Sequence, residues 1–422
     1  MNNQAIIKRD ILLKLRSHIS KKEISLIIGP RQVGKTTLMN MLKKELEQEG
    51  KKTVFLSLDF ENDKNFFSSQ NNLISKIQLE LGNNAGVVFI DEIQRKKNAG
   101  VFLKGIYDLN LPYKFIISGS GSVELKQEIP ESLAGRKAVF EMNPVSFNEF
   151  VNFKTNYAYQ DRIEDYYFLE TEKVKIFLSE YLNFGGYPRV ILEQELLEKL
   201  RIIDEIYHSY LEKDISYFLR VEKIDVFACL VKLLSSQIGS LANYSEMANT
   251  LGASVQTIRN YLWYLEKTFI IKKVTPYFKN TRKEITKSPL FYFYDLGLRN
   301  YSLNQFGNIG EMNAAGFVFE NFIFNILREK IYLSGASIHF WRTKEKAEVD
   351  FIINLGRKII PLEAKYKNYK NPVIERSLRS FISKYNPEKA FIINKNLKAE
   401  LNIGKTKVIF IPFWEVLKGF SF

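Results

Sequence analysis

Short apolar segments alternating with helix-periodic stretches predict an α/β chain: a phosphate-loop domain first, a helical middle, and a second α/β domain at the end. Three observations carry this. A glycine loop stands between a strand-like and a helix-like segment at 29–36, a helix-turn-helix pattern fills 244–262, and a strand pair bearing acids covers 348–365. The expected divisions are 1–155 (phosphate-loop domain), 156–240 (helical bundle), 241–303 (winged helix-turn-helix) and 304–422 (second α/β domain).

The loop reads Gly29-Pro30-Arg31-Gln32-Val33-Gly34-Lys35-Thr36, with Thr37 next. Residues 24–28 (ISLII) suit a buried strand, and Leu38, Met41, Leu42 and Leu46 follow at helical spacing. Strand, glycine loop and helix are the context this motif requires. Glycines let the backbone wrap phosphate oxygens closely, and the helix N-terminus adds partial positive charge. Residues 29–37 are therefore the expected nucleotide-binding set. Lys35 is expected to reach the β- and γ-phosphates and Thr36 to ligate Mg²⁺.

A second apolar strand is expected at 53–59. A further one, Val87-Val-Phe-Ile, delivers Asp91 and Glu92 at its C-terminal end, where ligands gather in parallel sheets. Asp91 suits Mg²⁺, and Glu92 suits polarising the attacking water. A strand intervening in sequence between loop and acid, with Glu after Asp, points to ATP rather than a GTP switch. The strand at 114–120 ends in hydroxyls, so Ser118 and Ser120 are candidates for sensing the γ-phosphate. Arg136, ahead of a strand at 138–142, is a candidate for neutralising transition-state charge in its own subunit or a neighbour's; a plain surface role is the alternative. Arg31 faces either phosphate or solvent.

These residues resemble a prokaryotic AAA-type ATP-binding family, usually fused to a C-terminal domain of unassigned function. The markers are GPRQVGKTT, VVFIDEIQ, FIISGS, SLAGR and NPVSFNEF, followed by Gly185-Gly-Tyr-Pro188, KSPLFYFYDLGL at 287–298, and Phe319-Glu-Asn-Phe322. The likeness covers the whole chain. It implies an ATPase using ATP and Mg²⁺ and supplies no substrate.

Composition bounds the rest. A chain of 422 residues has room for about two to four domains. No apolar run approaches the ~18 residues of a membrane span, the N-terminus lacks a signal-peptide core, and one cysteine makes no internal disulfide. A cytoplasmic protein is expected, with Cys229 as ordinary core. The net charge of +14 invites an anionic partner, although lysine is abundant throughout. Three scattered histidines and one cysteine offer no zinc site.

In the middle, Ala248, Gly252 and Ile258 fall where a helix-turn-helix needs a small packing residue, a turn glycine and an apolar anchor, and Ser254 can cap the second helix. Gln256, Thr257, Arg259 and Asn260 then lie on or beside the face available to DNA. Segments 269–274 and 291–294 read as wing strands around a basic loop, 279–287, in which Arg282 and Lys283 suit phosphates. Docking of a protein on the same module is the alternative.

Near the end, 348–365 reads as two strands around Asn-Leu-Gly-Arg. With Leu355-Gly356 as the loop, residue 354 pairs with 357, and 350 lies opposite 361. Period two then puts Asp350, Glu363 and Lys365 on one face, and a helix over 316–330 adds Glu320. Two carboxylates can share Mg²⁺ while the lysine orients water or steadies developing charge. An acid on one strand and Glu-x-Lys on the next resembles the restriction-endonuclease-like superfamily, which implies that fold and a nuclease site at Glu320, Asp350, Glu363 and Lys365. A surface salt-bridge cluster, or the fold without cleavage, is the alternative. The expectation is an ATPase whose nucleotide state governs a DNA-acting C-terminal half. Its rival is an ATP-dependent protein-interaction switch on a non-catalytic scaffold. ATP and DNA are the expected partners, with a protein partner and self-assembly as further options.

Overall fold

In the computed structural model, residues 6–120, 133–209, 224–278, 280, 284, 287–307, 309 and 315–418 are described. The chain forms two compact units. One comprises 1–145, 187–224 and 262–270; the other comprises 146–186, 225–261 and 271–422.

The first unit is built on five parallel strands: β1 (Ile24–Gly29), β2 (Thr53–Ser57), β3 (Gly86–Asp91), β4 (Tyr113–Ser120) and β5 (Lys137–Glu141). They are ordered β2-β3-β4-β1-β5. Parallel strands are covered on both faces and so read as continuous apolar runs; every residue of β3 is buried. The helix Lys35–Gln48 turns Leu38, Met39, Leu42 and Leu46 inward. The helix Gln70–Leu81 starts where Ser69 accepts the Asn72 amide at 3.1 Å, a cap worth about 1 kcal/mol. Register aligns Gly29 with Ser120 and Ser57 with Asp91, so the phosphate loop and the acids emerge at one edge. In space β4 stands between β1 and β3.

The second unit holds a six-stranded sheet and a helical part. Strands β8 (Ser337–Arg342), β9 (Glu348–Asn354), β10 (Ile359–Ala364), β11 (Lys389–Asn394), β12 (Ala399–Ile403) and β13 (Thr406–Pro412) take the order β12-β13-β11-β10-β9-β8. β8, β9 and β10 are antiparallel neighbours, whereas β11 runs parallel to β10 after the helix Arg376–Tyr385. The helix Phe147–Lys154 opens with a capping box between Ser146 and Glu149. Its Phe147 meets Tyr181, Phe322 and Phe413 at ring separations of 5.5 Å, 5.5 Å and 5.9 Å.

Tyr244–Thr250 and Val255–Lys267 are helices joined at Gly252, whose φ of +59° favours glycine. Ala248 and Ile258 are buried, and Ser254 accepts the Thr257 amide at 3.0 Å. A two-stranded antiparallel sheet follows, β6 (Ile271–Val274) with β7 (Leu290–Phe293).

Two expectations change. The β9–β10 turn is centred on Gly356-Arg357, because the Leu355 amide donates to Lys358 O at 2.9 Å and Gly356 takes φ +79°. Ile359 therefore pairs with Asn354 and Leu362 with Phe351. The expected register is thus displaced by two residues, bringing Asp350 level with Glu363 rather than 361; an even shift leaves the faces unchanged. Cys229 is exposed. In the helix Ile224–Ser236 the core side is taken by Phe227, Leu230, Val231 and Leu234, and Cys229 falls on the other side.

Candidate nucleotide site and acid centre

The loop at the end of β1 is shaped by close backbone approach. A Cβ on Gly29 would sit 2.1 Å from the Met142 carbonyl oxygen, and Gly34 takes φ +95°. Gln32 also adopts the left-handed region, φ 60°. Arg9, which sequence reading missed, braces the loop: its guanidinium donates to Val33 O at 3.1 Å and Asn143 O at 2.6 Å.

Lys35 is buried and donates to the loop's own carbonyls, Gly29 O at 3.1 Å and Pro30 O at 2.7 Å. Thr36 donates its hydroxyl to Asp91 Oδ2 at 2.7 Å. The other Asp91 oxygen accepts from Ser118, so Ser118 faces the acid. Ser120 ends β4 beside Gly29; its side chain lies outside the described residues. Glu92 follows in a left-handed conformation, φ 57°, and accepts from Gln94. Burial pushes the Glu92 carboxyl up, and the nearby Lys35 charge opposes that.

A cleft of about 560 Å³ opens here, lined among others by Arg31, Gly34, Lys35, Glu92, Arg95 and Arg189. Thr36 and Thr37 also border it. Asp59 and Arg95 pair at 2.5 Å on its rim. Arg189, a second residue missed in sequence, bonds Gln32 Oε1 at 3.1 Å and Glu205 at 3.0 Å. The Thr36–Asp91 pair fits a Mg²⁺ ion: a hydroxyl and a carboxylate share one point beside the loop.

Arg136 does not join them. It precedes β5, where its carbonyl accepts the Ile24 amide, and its side chain pairs with Asp108 at 2.8 Å. This is the strand-entry edge of the sheet, opposite the loop. A role at its own subunit's nucleotide is therefore corrected.

In the second unit the helix Ala315–Lys330 carries Glu320. Glu320 accepts from the buried Tyr292 hydroxyl of β7. Asp350 Oδ2 accepts the Ala364 amide at 2.8 Å. Glu363 is 1% exposed, and neither carboxylate oxygen has a hydrogen bond. Its charged neighbour Lys365 is 3.6 Å away and also 3.4 Å from Glu375. Burial pushes the carboxyls of Glu320, Asp350 and Glu363 up, Glu363 to about 8, and the charge of Asp350 adds to the rise at Glu320 and Glu363. Burial pulls Lys365 down, but Asp350, Glu363 and Glu375 outweigh it and the ammonium is held above its ordinary value.

Among the described residues no three acidic, histidine or cysteine side chains close a metal cage. Mg²⁺ needs no such cage, since it binds one or two carboxylates and keeps several waters.

On the helix-turn-helix, Gln256, Arg259 and Asn260 are exposed and Thr257 half-buried. Gln256 bonds Asn260 at 2.9 Å, and the Arg259 guanidinium lies 5.3 Å from the Tyr244 ring centre. Arg282 and Lys283 lie outside the described residues. Among the described residues no helix is long and apolar enough to cross a membrane.

Residues 21–151 match the model of an AAA domain, 177–308 match a domain of unknown function (DUF8612), and 315–415 match another (DUF4143). An uncharacterised protein of Methanocaldococcus jannaschii is 29% identical over 356 residues, covering 82% of this chain and 75% of that one. An uncharacterised Haemophilus influenzae protein is 24% identical over 425 residues, covering 98% and 99%. Among solved structures, the Orc1 protein of Aeropyrum pernix in complex with DNA superposes with a TM-score of 0.32 at 11% identity, covering 71% of this chain and 93% of that one. Replication initiator DnaA bound to AMPPCP and single-stranded DNA gives 0.31 at 14%, covering 62% and 90%. Residues 21–151, which match the AAA domain model, hold the five-stranded parallel sheet, and residues 315–415, which match DUF4143, hold the six-stranded one.

Proposed function

We propose that the protein is a Mg²⁺-dependent ATPase that couples its nucleotide state to a nucleic-acid-acting C-terminal half. The observation that carries the first part is the Thr36–Asp91 hydrogen bond at 2.7 Å, beside a cleft that Lys35 and Glu92 both line. Bound Mg²⁺ would neutralise phosphate charge, held from Thr36 and Asp91. Lys35 would exchange its two carbonyl acceptors for phosphate oxygens. Glu92, whose carboxyl burial raises against the opposing charge of that ammonium, would take the proton of the attacking water. Arg31 and Arg189 would face the γ-phosphate, Ser118 would fix Asp91, and Arg136 would act only towards a neighbouring copy. Catalysis here is positioning plus electrostatics.

For the C-terminal half, the unsatisfied Glu363 carboxylate supports a divalent-metal site shared with Asp350. Glu320 would stand by, and Lys365 would orient water on a phosphodiester. Gln256, Thr257, Arg259 and Asn260, with Arg282 and Lys283, would guide a duplex. The test is phosphate release by wild type, Lys35→Ala and Glu92→Gln, with and without DNA. Loss of turnover in both variants and stimulation by DNA are expected; full turnover in both ends the assignment.

A further inference from the structure

At the strand-entry edge of the five-stranded sheet, within the first unit and opposite the phosphate loop, lies a second cleft of about 740 Å³. It shares no lining residue with the nucleotide cleft. Its floor is the first part of the sheet, where Gly86 and Val87 of β3 pair with Tyr113 and Lys114 of β4. Leu46, near the end of the helix Lys35–Gln48, adds an apolar wall. Val87, Tyr113 and Leu46 are all buried. The surrounding charge is mostly positive: Arg16, Lys21, Lys22, Lys51 and Lys114 line the cleft, and Glu49 is its one carboxylate among the described residues. Glu49 is already shared between Arg16 and Lys51, the latter at 3.4 Å.

Lys114 shows that this charge is built in rather than scattered. It is 8% exposed, and its ammonium donates to Lys21 O at 3.0 Å, to Glu23 O, and to His18 Nδ1 at 3.1 Å. A nitrogen that accepts from an ammonium carries no proton, so His18 is neutral and adds no charge of its own. Burial, and then the Lys114 charge, hold its imidazole below the ordinary value. Burial likewise pulls Lys114 down to about 8, against the opposing charge of Glu23. With all three protons engaged, Lys114 acts on the cleft through its field. Direct contacts fall to Lys21 and Lys22, both exposed on the rim, with Lys22 held 5.0 Å from the Tyr107 ring centre.

We propose that this cleft is a second ligand site, for a small organic anion: the apolar floor receives an apolar body, and the lysine rim receives its carboxylate, sulfonate or phosphate. The volume falls in the range of about 300–1,000 Å³ usual for small-molecule sites, and an apolar surface with a few convergent charges is their ordinary construction. The site is independent of the nucleotide reading, because the two clefts lie at opposite edges of the sheet.

The experiment titrates the full chain with two fluorescent probes of one shape, anilinonaphthalenesulfonate and phenylnaphthylamine, which lacks the sulfonate. Wild type is expected to bind the sulfonate at least ~10-fold more tightly than the neutral probe. Lys21→Glu combined with Lys22→Glu is expected to weaken the sulfonate by at least ~10-fold and the neutral probe by less than ~3-fold. Ala85 is exposed on the rim, so Ala85→Trp should obstruct the cleft and weaken both probes by at least ~10-fold. Lys35→Ala, in the other cleft, should change neither by more than ~3-fold. Equal affinity for the two probes, or binding of neither, overturns the proposal. So does a sulfonate affinity that survives the charge reversal or Ala85→Trp, and so does loss of binding in Lys35→Ala, which would put the probe in the nucleotide cleft. If the charge reversal does not melt as a folded protein, Lys21→Gln carries the same comparison of probes.

Discussion

The two centres of this molecule use the same residue types in opposite electrostatic states. At the nucleotide loop the lysine rests on two backbone carbonyls, and Asp91 is satisfied by the hydroxyls of Thr36 and Ser118. At the acid centre, Glu363 has neither oxygen hydrogen-bonded, and burial raises three neighbouring carboxyls together. At the loop each charged group has hydrogen-bond partners within the protein, whereas at the acid centre a buried carboxylate has no hydrogen bond and an ammonium 3.6 Å away. Solvation of the charged form, not residue type, separates the two.

The largest effect that sharpens this contrast is expected at the loop. Lys35→Ala should lower ATP turnover by at least ~10²-fold and abolish the heat of nucleotide uptake in calorimetry. Turnover near wild type would break the comparison at its stronger end.

The next effect concerns pH and metal. Glu363 is raised to about 8 from 4.5. The folded state therefore binds a proton that the unfolded chain has already released. The stability this confers is intact below about 4.5 and is lost as pH rises through about 8. Metal-free protein should melt lower at pH 8 than at pH 5. Glu363→Gln should flatten that slope, and Mg²⁺ should raise the melting temperature at pH 8 in wild type but not in the variant. A slope unchanged by Glu363→Gln would mean the discomfort lies elsewhere.

Smaller effects test the flanking pieces. Arg259→Ala should reduce the log-salt slope of DNA affinity by about 1 if its guanidinium meets a phosphate; an unchanged slope would favour protein docking on that helix. Ser254→Ala should cost about 1 kcal/mol through loss of the cap, seen in the denaturation midpoint.

Much of this was legible in the chain because it is local. Strand, glycine loop and helix stand within 25 residues, and Asp91 sits at the end of an apolar run, so both could be placed at one sheet edge without coordinates. The own-subunit option for Arg136 fell for a reason legible along the chain, while the neighbouring-copy and surface options stand. A residue just before a parallel strand lies at the entry edge, away from ligands. The β9–β10 register failed by two because turn type, not the pattern of acids, sets pairing; the faces survived because two is the strand period. Cys229 was misjudged because a run with apolar residues all round does not fix helical phase. Arg9, Arg189 and the Tyr292–Glu320 contact were out of reach. Each joins segments that only folding brings together, and no local signal marks an arginine as a loop brace. Interleaving of the two units is equally invisible along the chain.

The ammonium of Lys35 docked on Gly29 and Pro30 has a practical consequence. A phosphate reaching the loop would compete with two backbone carbonyls for that ammonium, so its affinity would report a difference between acceptors rather than the full strength of a new ion pair.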